Sequence, residues 1–444
     1  LHDDFGEKAL SRRKLDEIFI NVIIQEGREN LLTSKRQFKN RHESYHAHLK
    51  RPKDAIPLRE TSDLFKPMGT SKTLPKTILV VGRPGIGKTL LTKKILHEWK
   101  EQASKFWHGK TVILIQFRSF NHGKTNLRKM LEHAQGLSMS PADCRFTYEY
   151  ICSMPNDVVF VFDGLDELKY DKNTLAEETA INDPNQEVNI LQIFTKLVKG
   201  KLLPGVTVLI TSRSTADNIY KQRQFDREVE ILGFQKEQIQ SYVKKFCSNH
   251  MERSTKLWKL IEESPEYLSF SYIPVNCYII CLTLKTTMDA DEREELGEGC
   301  FQSNIPRTIT ELYRRAINIL LFRHHNGYKD KQIPKDYKTT SLPKPLQADL
   351  DKLKELARDG LKNDQLVLEF ESGNKDAELS DCGIINKLED KERNLFCFLH
   401  LTIQEFLAAQ HVVDDLEQVE SFLTDHIDNP KWHLVIQFVA GLIG

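Results

Sequence analysis

The chain has 444 residues, with Lys+Arg 63 balancing Asp+Glu 63, so its formal net charge is zero; 40% of it is hydrophobic. That balance excludes a nucleic-acid coat, a polyacidic tail protein and a supercharged peptide, all of which need a surplus of one sign. At roughly 150 residues per domain the length predicts about three domains, with an ordinary globular composition.

Residues 1–50 are polar with a helical pattern, in which Leu15, Ile18, Phe19 and Ile23 recur around one stripe. The stretch 35–53 carries seven Lys/Arg against Glu43 alone. Phe38 and Tyr45 are its only aromatics, so it reads as a solvated connector rather than a nucleic-acid or membrane patch. Pro52, Pro57, Pro67 and Pro75 rule out a continuous helix through the next segment. From Thr77 short β-branched runs alternate with helical stretches: Thr77–Val81, 111–117, 158–162, 206–211 and 228–232. The gaps leave room for a helical crossover each time, which predicts a parallel sheet covered by helices on both faces. After Gly233 the pattern turns helical at 235–246, 257–261 and 275–284. An acidic run from Asp289 to Glu298 reads as an exposed loop. Helices resume at 310–322 and 346–361, followed by strand-like pieces at 366–370 and 395–399, a mixture that suits a winged helix.

The cysteines are scattered without a CxxC, and Cys397 with His400 has no matching second pair, so a reducing compartment is expected rather than a zinc site. Cys277 and Cys281 read as buried apolar thiols. No segment approaches the about 20 apolar residues of a spanning helix. With Leu1 at its start, no secretory signal, and an apolar pattern running up to Gly444, the chain is expected to be an internal fragment of a longer cytoplasmic protein.

Three motifs carry chemistry. Gly82, Arg83, Pro84, Gly85, Ile86, Gly87, Lys88 and Thr89 match GxxxxGK[ST], between a strand and a helix that takes in Leu90. Backbone N–H groups there curl around an anion, Lys88 neutralises β- and γ-phosphate oxygens, and Thr89 offers a hydroxyl to Mg²⁺. The second motif is the apolar strand 158–162 ending in Asp163, with Asp166 and Glu167 beyond. Asp163 is placed to hold Mg²⁺ with Thr89, and Asp166 and Glu167 are two candidates for the base that aligns a water. The third is the strand ending Thr211-Ser-Arg213, whose guanidinium suits a γ-phosphate. A guanine reader of the Asn-Lys-x-Asp kind is missing from that strand end, which favours adenine. A nucleotide kinase would need a second substrate pocket and an Arg-rich lid, and the segment 402–412 contains no Lys or Arg with which to read a DNA groove.

Taken together, GRPGIGKT from Gly82, FDGLDEL from Phe162, TSR from Thr211, ILGF from Ile231, the proline in SYIPVNCYIICLTL at Pro274, TITELY from Thr308 and FLHLTIQEFLAA from Phe398 resemble the NACHT subgroup of the STAND signalling ATPases, and most of all the NOD-like receptors of animals. The resemblance spans residues 75 to 444. It implies an α/β P-loop NTPase domain with a helix-covered parallel sheet, followed by a small helical domain, a winged helix and the start of a second helical domain. The corresponding division is 1–52 as an N-terminal helical and basic connector, 53–233 as the NACHT domain, 234–305 as the helical domain, 306–413 as the winged helix and 414–444 as the start of the last. It further implies that Pro274 packs near the adenine and that His400 reaches the β-phosphate of ADP in a closed form. Read from its own neighbours, Pro274 serves equally well as a helix-initiating proline. His400 precedes Thr402-x-x-Glu405, the pattern of a capping box. Ser214 stands where a proline often follows TSR. The expectation is an ATP/ADP switch with slow hydrolysis and self-association through the nucleotide-binding domain. Adaptor or effector proteins would bind through a module outside these residues, and no direct nucleic-acid or membrane binding is expected.

Overall fold

All five β-branched runs between Thr77 and Leu232 become strands of one sheet. In this computed structural model the described residues are 19–26, 55–68, 73–120, 124–132, 134, 141–168, 186–213, 224–248, 250–291, 306, 308–325, 327–328, 331, 333, 342–363, 367–370, 379, 384–387, 395–398 and 400–444. The basic stretch 35–53, the acidic residues 292–298, Leu15, Ile18 and Ser214 lie outside them. The described residues fall into two units, Phe19–Gly233 and Phe234–Gly444.

The first unit contains strands β1 (Ile23–Glu26), β2 (Ile56–Pro57), β3 (Thr77–Val81), β4 (Thr111–Gln116), β5 (Val158–Asp163), β6 (Thr207–Ser212) and β7 (Arg227–Leu232), in the order β2-β1-β7-β3-β6-β5-β4. Its helices are α1 (Lys88–Lys100), α2 (Leu127–Glu132), α3 (Pro141–Ser153) and α4 (Ile190–Val198). Strands β7, β3, β6, β5 and β4 are parallel. Every residue of β3, β5 and β6 is buried, which is why their central residues, 78–81, 158–162 and 208–210, read as unbroken apolar runs rather than as alternation. From β3 the chain crosses to β4 at the far edge, returns through β5 and β6 to β3, then passes to its other side as β7. The carboxyl end of β3 is therefore the point where strand order reverses, the place such sheets bind ligands. Val81 pairs with Ser212, and Gln116 with Asp163, so the polar tips emerge at one edge. Below that edge the rings of Phe117, Phe162 and Phe194 pack at 5.2 to 5.5 Å between centroids. Helix α4 is set by a capping box, Asn189 accepting from the Leu191 N–H while Gln192 accepts from the Asn189 N–H.

The helical reading of Phe19 and Ile23 is corrected by β1, which pairs antiparallel with β7 and carries β2 at its outer edge. Val22, Ile23 and Ile24 are all buried, and three successive apolar residues next to Phe19 imitate a helical stripe. The following turn Thr61–Phe65 is anchored by charge: the buried Glu98 of α1 accepts from the Thr61 N–H at 3.0 Å and from its hydroxyl at 2.6 Å. Arg227 of β7 donates to the carbonyls of Leu64 and Lys66.

The second unit is mostly helical: α5 (Lys236–Phe246), α6 (Met251–Glu263), α7 (Pro265–Phe270), α8 (Pro274–Asp291), α9 (Ile309–His324) and α10 (Lys344–Lys362). A three-stranded antiparallel sheet follows, β8 (Val367–Glu369), β9 (Ile385–Lys387) and β10 (Leu395–Phe398), with β10 in the middle. Helices α11 (Leu401–Val413), α12 (Leu416–His426) and α13 (His433–Ile443) complete it. The rings of Tyr313, Phe406 and Phe438 join α9, α11 and α13 at 5.0 to 5.5 Å. Among the described residues no helix is long and apolar enough to cross a membrane.

Candidate nucleotide-binding site

The loop 82–87 leaves the end of β3 and turns into α1. It is tied to the neighbouring strand by the Gly82 N–H, which donates to the Ser212 carbonyl at 3.1 Å, and closed on itself by the Ile86 N–H to the Arg83 carbonyl. Gly87 caps α1 at φ 103°, a left-handed conformation that strains any residue with a Cβ. Arg83, Pro84 and Gly85 form the partly exposed outer arc, Ile86 is buried under it, and Lys88, Thr89 and Leu90 are the first turn of α1. The helix thus presents its N-terminal N–H groups and its partial positive charge to the loop's hollow. Lys88 curls back over the loop, its ammonium donating to the carbonyls of Gly82 at 2.8 Å and Arg83 at 3.1 Å. Crowding by protein pushes its pKa down to about 8, against a pull upward from Asp166, Asp163 and Glu167; Arg213 pushes further down. Five predicted site residues therefore share one electrostatic neighbourhood.

The acids divide their labour. Asp163, buried at the tip of β5, accepts the Thr211 hydroxyl at 2.6 Å, and that hydroxyl oxygen accepts the Gly164 N–H at 2.9 Å. Gly164, at φ 78°, opens the short turn Leu165–Glu167. Asp166 grips Arg213 twice, accepting its backbone N–H at 2.9 Å and facing its Nε at 3.0 Å. Glu167 is different: burial raises its carboxyl from 4.5 to about 7, Arg118 and Arg213 oppose the rise, and Asp166 and Asp163 add to it. A carboxylate near neutrality suits a general base, whereas Asp166 is engaged with a guanidinium.

Sequence reasoning missed Arg118. It follows β4 in the turn Phe117–Phe120, donates to Gln116 Oε1 at 3.0 Å, and is the largest charge acting on Glu167. The available signal was a polar tip, Gln116-Phe-Arg118, on the strand beside the acidic one. Glu230 was also missed. It is buried on β7 opposite Val81, and burial raises its carboxyl while the loop's Arg83 lowers it.

Thr89 and Asp163 offer a hydroxyl and a carboxylate, hard oxygen donors of the kind Mg²⁺ takes. Mg²⁺ binds through one or two protein oxygens and completes its shell with phosphates and water.

Pro274 and His400 belong to the second unit. Pro274 is the first residue of α8, where its fixed φ suits a helix start. His400 lies between β10 and α11 and is itself the N-cap, its side chain accepting the Thr402 N–H. This corrects the expected capping box: the helix begins at Leu401, and Glu405 is buried within it. His400 and Val275, the residue after Pro274, line one small apolar cavity.

A strand, a glycine-bounded loop and a helix bearing Lys88 and Thr89, with Asp163 two strands away, define a P-loop nucleoside-triphosphatase type of domain. Residues 76–250 match the NACHT domain family. The chain is 28% identical over 379 residues to Protein NLRC5 of Ictalurus punctatus, covering 80% of this chain and 21% of that protein. It is 25% identical over 413 residues to NACHT, LRR and PYD domains-containing protein 12 of Homo sapiens, covering 86% and 35%. It is 28% identical over 375 residues to NACHT, LRR and PYD domains-containing protein 3 of Rattus norvegicus, covering 81% and 33%. The chain carries a NACHT domain, and over most of its length it is similar to proteins of the NOD-like receptor family. It spans about a fifth to a third of the length of these three relatives.

Proposed function

We propose that this chain is the ATP/ADP switch of a cytoplasmic NOD-like receptor in innate immune signalling. The observation that carries the reading is the convergence of Lys88, Asp163, Asp166, Glu167 and Arg213 on one electrostatic site at the carboxyl edge of the sheet. The loop 82–87 and the first turn of α1 bind the phosphates. Mg²⁺, held by Thr89 and Asp163, supplies charge neutralisation to the phosphates when bound. Glu167 is the base that orients water, and Arg213, drawn from Asp166 toward a γ-phosphate, reports whether ATP or ADP is present. Pro274 contacts the adenine and His400 the β-phosphate of ADP, which favours the closed form. In this reading the helices and three-stranded sheet of the second unit are divided among a small helical domain, a winged helix and the start of a second helical domain.

In this reading turnover is slow and regulatory. ATP favours an open form that self-associates through the nucleotide-binding domain, and an N-terminal module of the longer protein recruits adaptor or effector proteins. To move the population from 1:99 to 99:1 the nucleotides must discriminate between the two forms by about 5.5 kcal/mol. The test is an equilibrium titration of Lys88→Ala with fluorescent ADP and ATP. At least about tenfold weaker binding of both is expected from losing a charge-assisted contact; unchanged affinity removes the cradle assignment.

A further inference from the structure

Helices α10 and α11 meet along a polar seam within the second unit. On α10, Asp351, Lys354 and Arg358 recur at helical spacing along one face. At the end of α11, His411 is followed three residues on by the C-cap Asp414. The buried Lys354 donates to Asp414 at 2.7 Å and faces Asp351 at 2.9 Å. One turn further along, the Arg358 guanidinium is fixed by its neighbour Asp359, which accepts from Nε at 2.8 Å and faces Nη2 at 2.7 Å. That leaves Nη1 to cross the seam to His411 Nε2 at 3.2 Å. A guanidinium can only donate, so the ring nitrogen is the acceptor. The bond therefore exists only while the imidazole is neutral, with its proton on Nδ1.

A proton on Nε2 puts a second cation at hydrogen-bond distance from the first. The nearby acids are already engaged, Asp359 by Arg358 itself and Asp414 by Lys354. Burial and the Arg358 charge are the main causes that hold the ring's pKa below its ordinary value; Asp414 and Asp359 pull it up, and Lys354 pushes it further down. None of these charges comes from α9, α12, α13 or β10, the other elements packed on α11. Because the folded pKa is depressed, the stability this ring contributes is full above the unfolded value of about 6.5 and is lost as the pH falls through the folded one. We propose that His411 is an acid-sensitive latch between α10 and α11: as the neutral ring it accepts the Arg358 guanidinium and holds the helices together, and on taking a proton it repels that guanidinium and loosens the seam. The latch lies wholly within the second unit and does not depend on the nucleotide reading.

Two measurements on the full chain test it. Between pH 5 and pH 8, ¹H–¹³C correlation of ring-labelled histidine, with the His411→Gln spectrum to assign the resonance, should show His411 titrating below an ordinary histidine. Arg358→Met should move that midpoint upward. Amide hydrogen exchange within α10 and α11, corrected for the intrinsic pH dependence of exchange, should be about threefold faster at pH 5.5 than at pH 7.5, the weight of one partly exposed charge pair. Glutamine keeps an acceptor for Nη1 and takes no proton, so exchange in His411→Gln should stay slow at both pH values. Arg358→Met should exchange about threefold faster than wild type already at pH 7.5 and gain nothing on acidification, whereas a purely structural loss would leave the wild-type pH dependence in place. A His411 midpoint at or above the ordinary value, or the same pH dependence of exchange in wild type and His411→Gln, overturns the latch.

Discussion

Glu167→Gln is expected to stabilise the free protein at pH 8 while abolishing its hydrolysis of ATP. Burial raises this carboxyl from 4.5 to about 7, the two arginines only partly offsetting it. The folded chain thus holds the proton more tightly than the unfolded chain does. Stability is full below about pH 4.5, falls as pH rises toward 7, and is flat above. At about 1.36 kcal/mol per pH unit, the ionised carboxylate costs the fold about 3 kcal/mol at pH 8. Glutamine has the shape of the protonated acid and no charge, so it escapes that cost. Urea unfolding of wild type and variant at pH 5, 6, 7 and 8 measures the difference as a shift in midpoint at constant slope. The gain should be small at pH 5 and about 3 kcal/mol at pH 8. A gain that does not vary with pH would refute desolvation as the source of the shift, and undiminished ATP turnover in the variant would move the base away from Glu167. The coupling of a stabilised fold to a lost reaction is what a strained catalytic group produces.

Lys88 makes the complementary prediction, because its pKa of about 8 belongs to the protein without phosphates beside it. ADP should draw the ammonium back toward full protonation, so the Lys88 share of the proton uptake is about half a proton at pH 8 and almost none at pH 6.5; calorimetry in two buffers of different ionisation heat reads that share as the difference between wild type and Lys88→Arg, and no difference at pH 8 defeats it. Asp166→Asn keeps an oxygen for the Arg213 N–H but loses the carboxylate facing Nε. It should cost about 3 kcal/mol in denaturant, as breaking one side of a largely buried ion pair does, and a loss under about 0.5 kcal/mol would mean that Arg213 is held by other partners.

The parallel strands and the phosphate loop were legible in the sequence because each follows from local rules. Strands buried on both faces run apolar through their length up to the tip, as residues 158–162 do before Asp163; a loop that turns at φ 103° into a helix is best served by a glycine, and Gly87 is one. What was not legible depends on partners distant in the chain. Nothing around Ile23 announces that its partner is Leu232, 209 residues on. Asp166 and Glu167 are neighbours of one charge type, and only the arrival of Arg213 from β6 and Arg118 from β4 separates an ion-pair acid from one with a raised pKa.

The start of α11 shows the same limit from the other direction. Local statistics favour Thr402 as the cap, since threonine with a glutamate three residues later satisfies two orphan N–H groups. The structure instead spends the His400 ring on that task and buries Glu405. Histidine is a costlier cap in conformational terms, because its ring must be fixed in both rotamer and tautomer. Here the ring is held by Thr402, whose backbone N–H donates to Nδ1, and the Thr402 hydroxyl in turn lies 3.0 Å from Tyr313 Oη of α9. A cap chosen for helix stability alone would need none of those partners. What fixes this helix start is therefore a ring placed by the end of β10 and a backbone N–H two residues on, neither of which the Thr-x-x-Glu spacing carries.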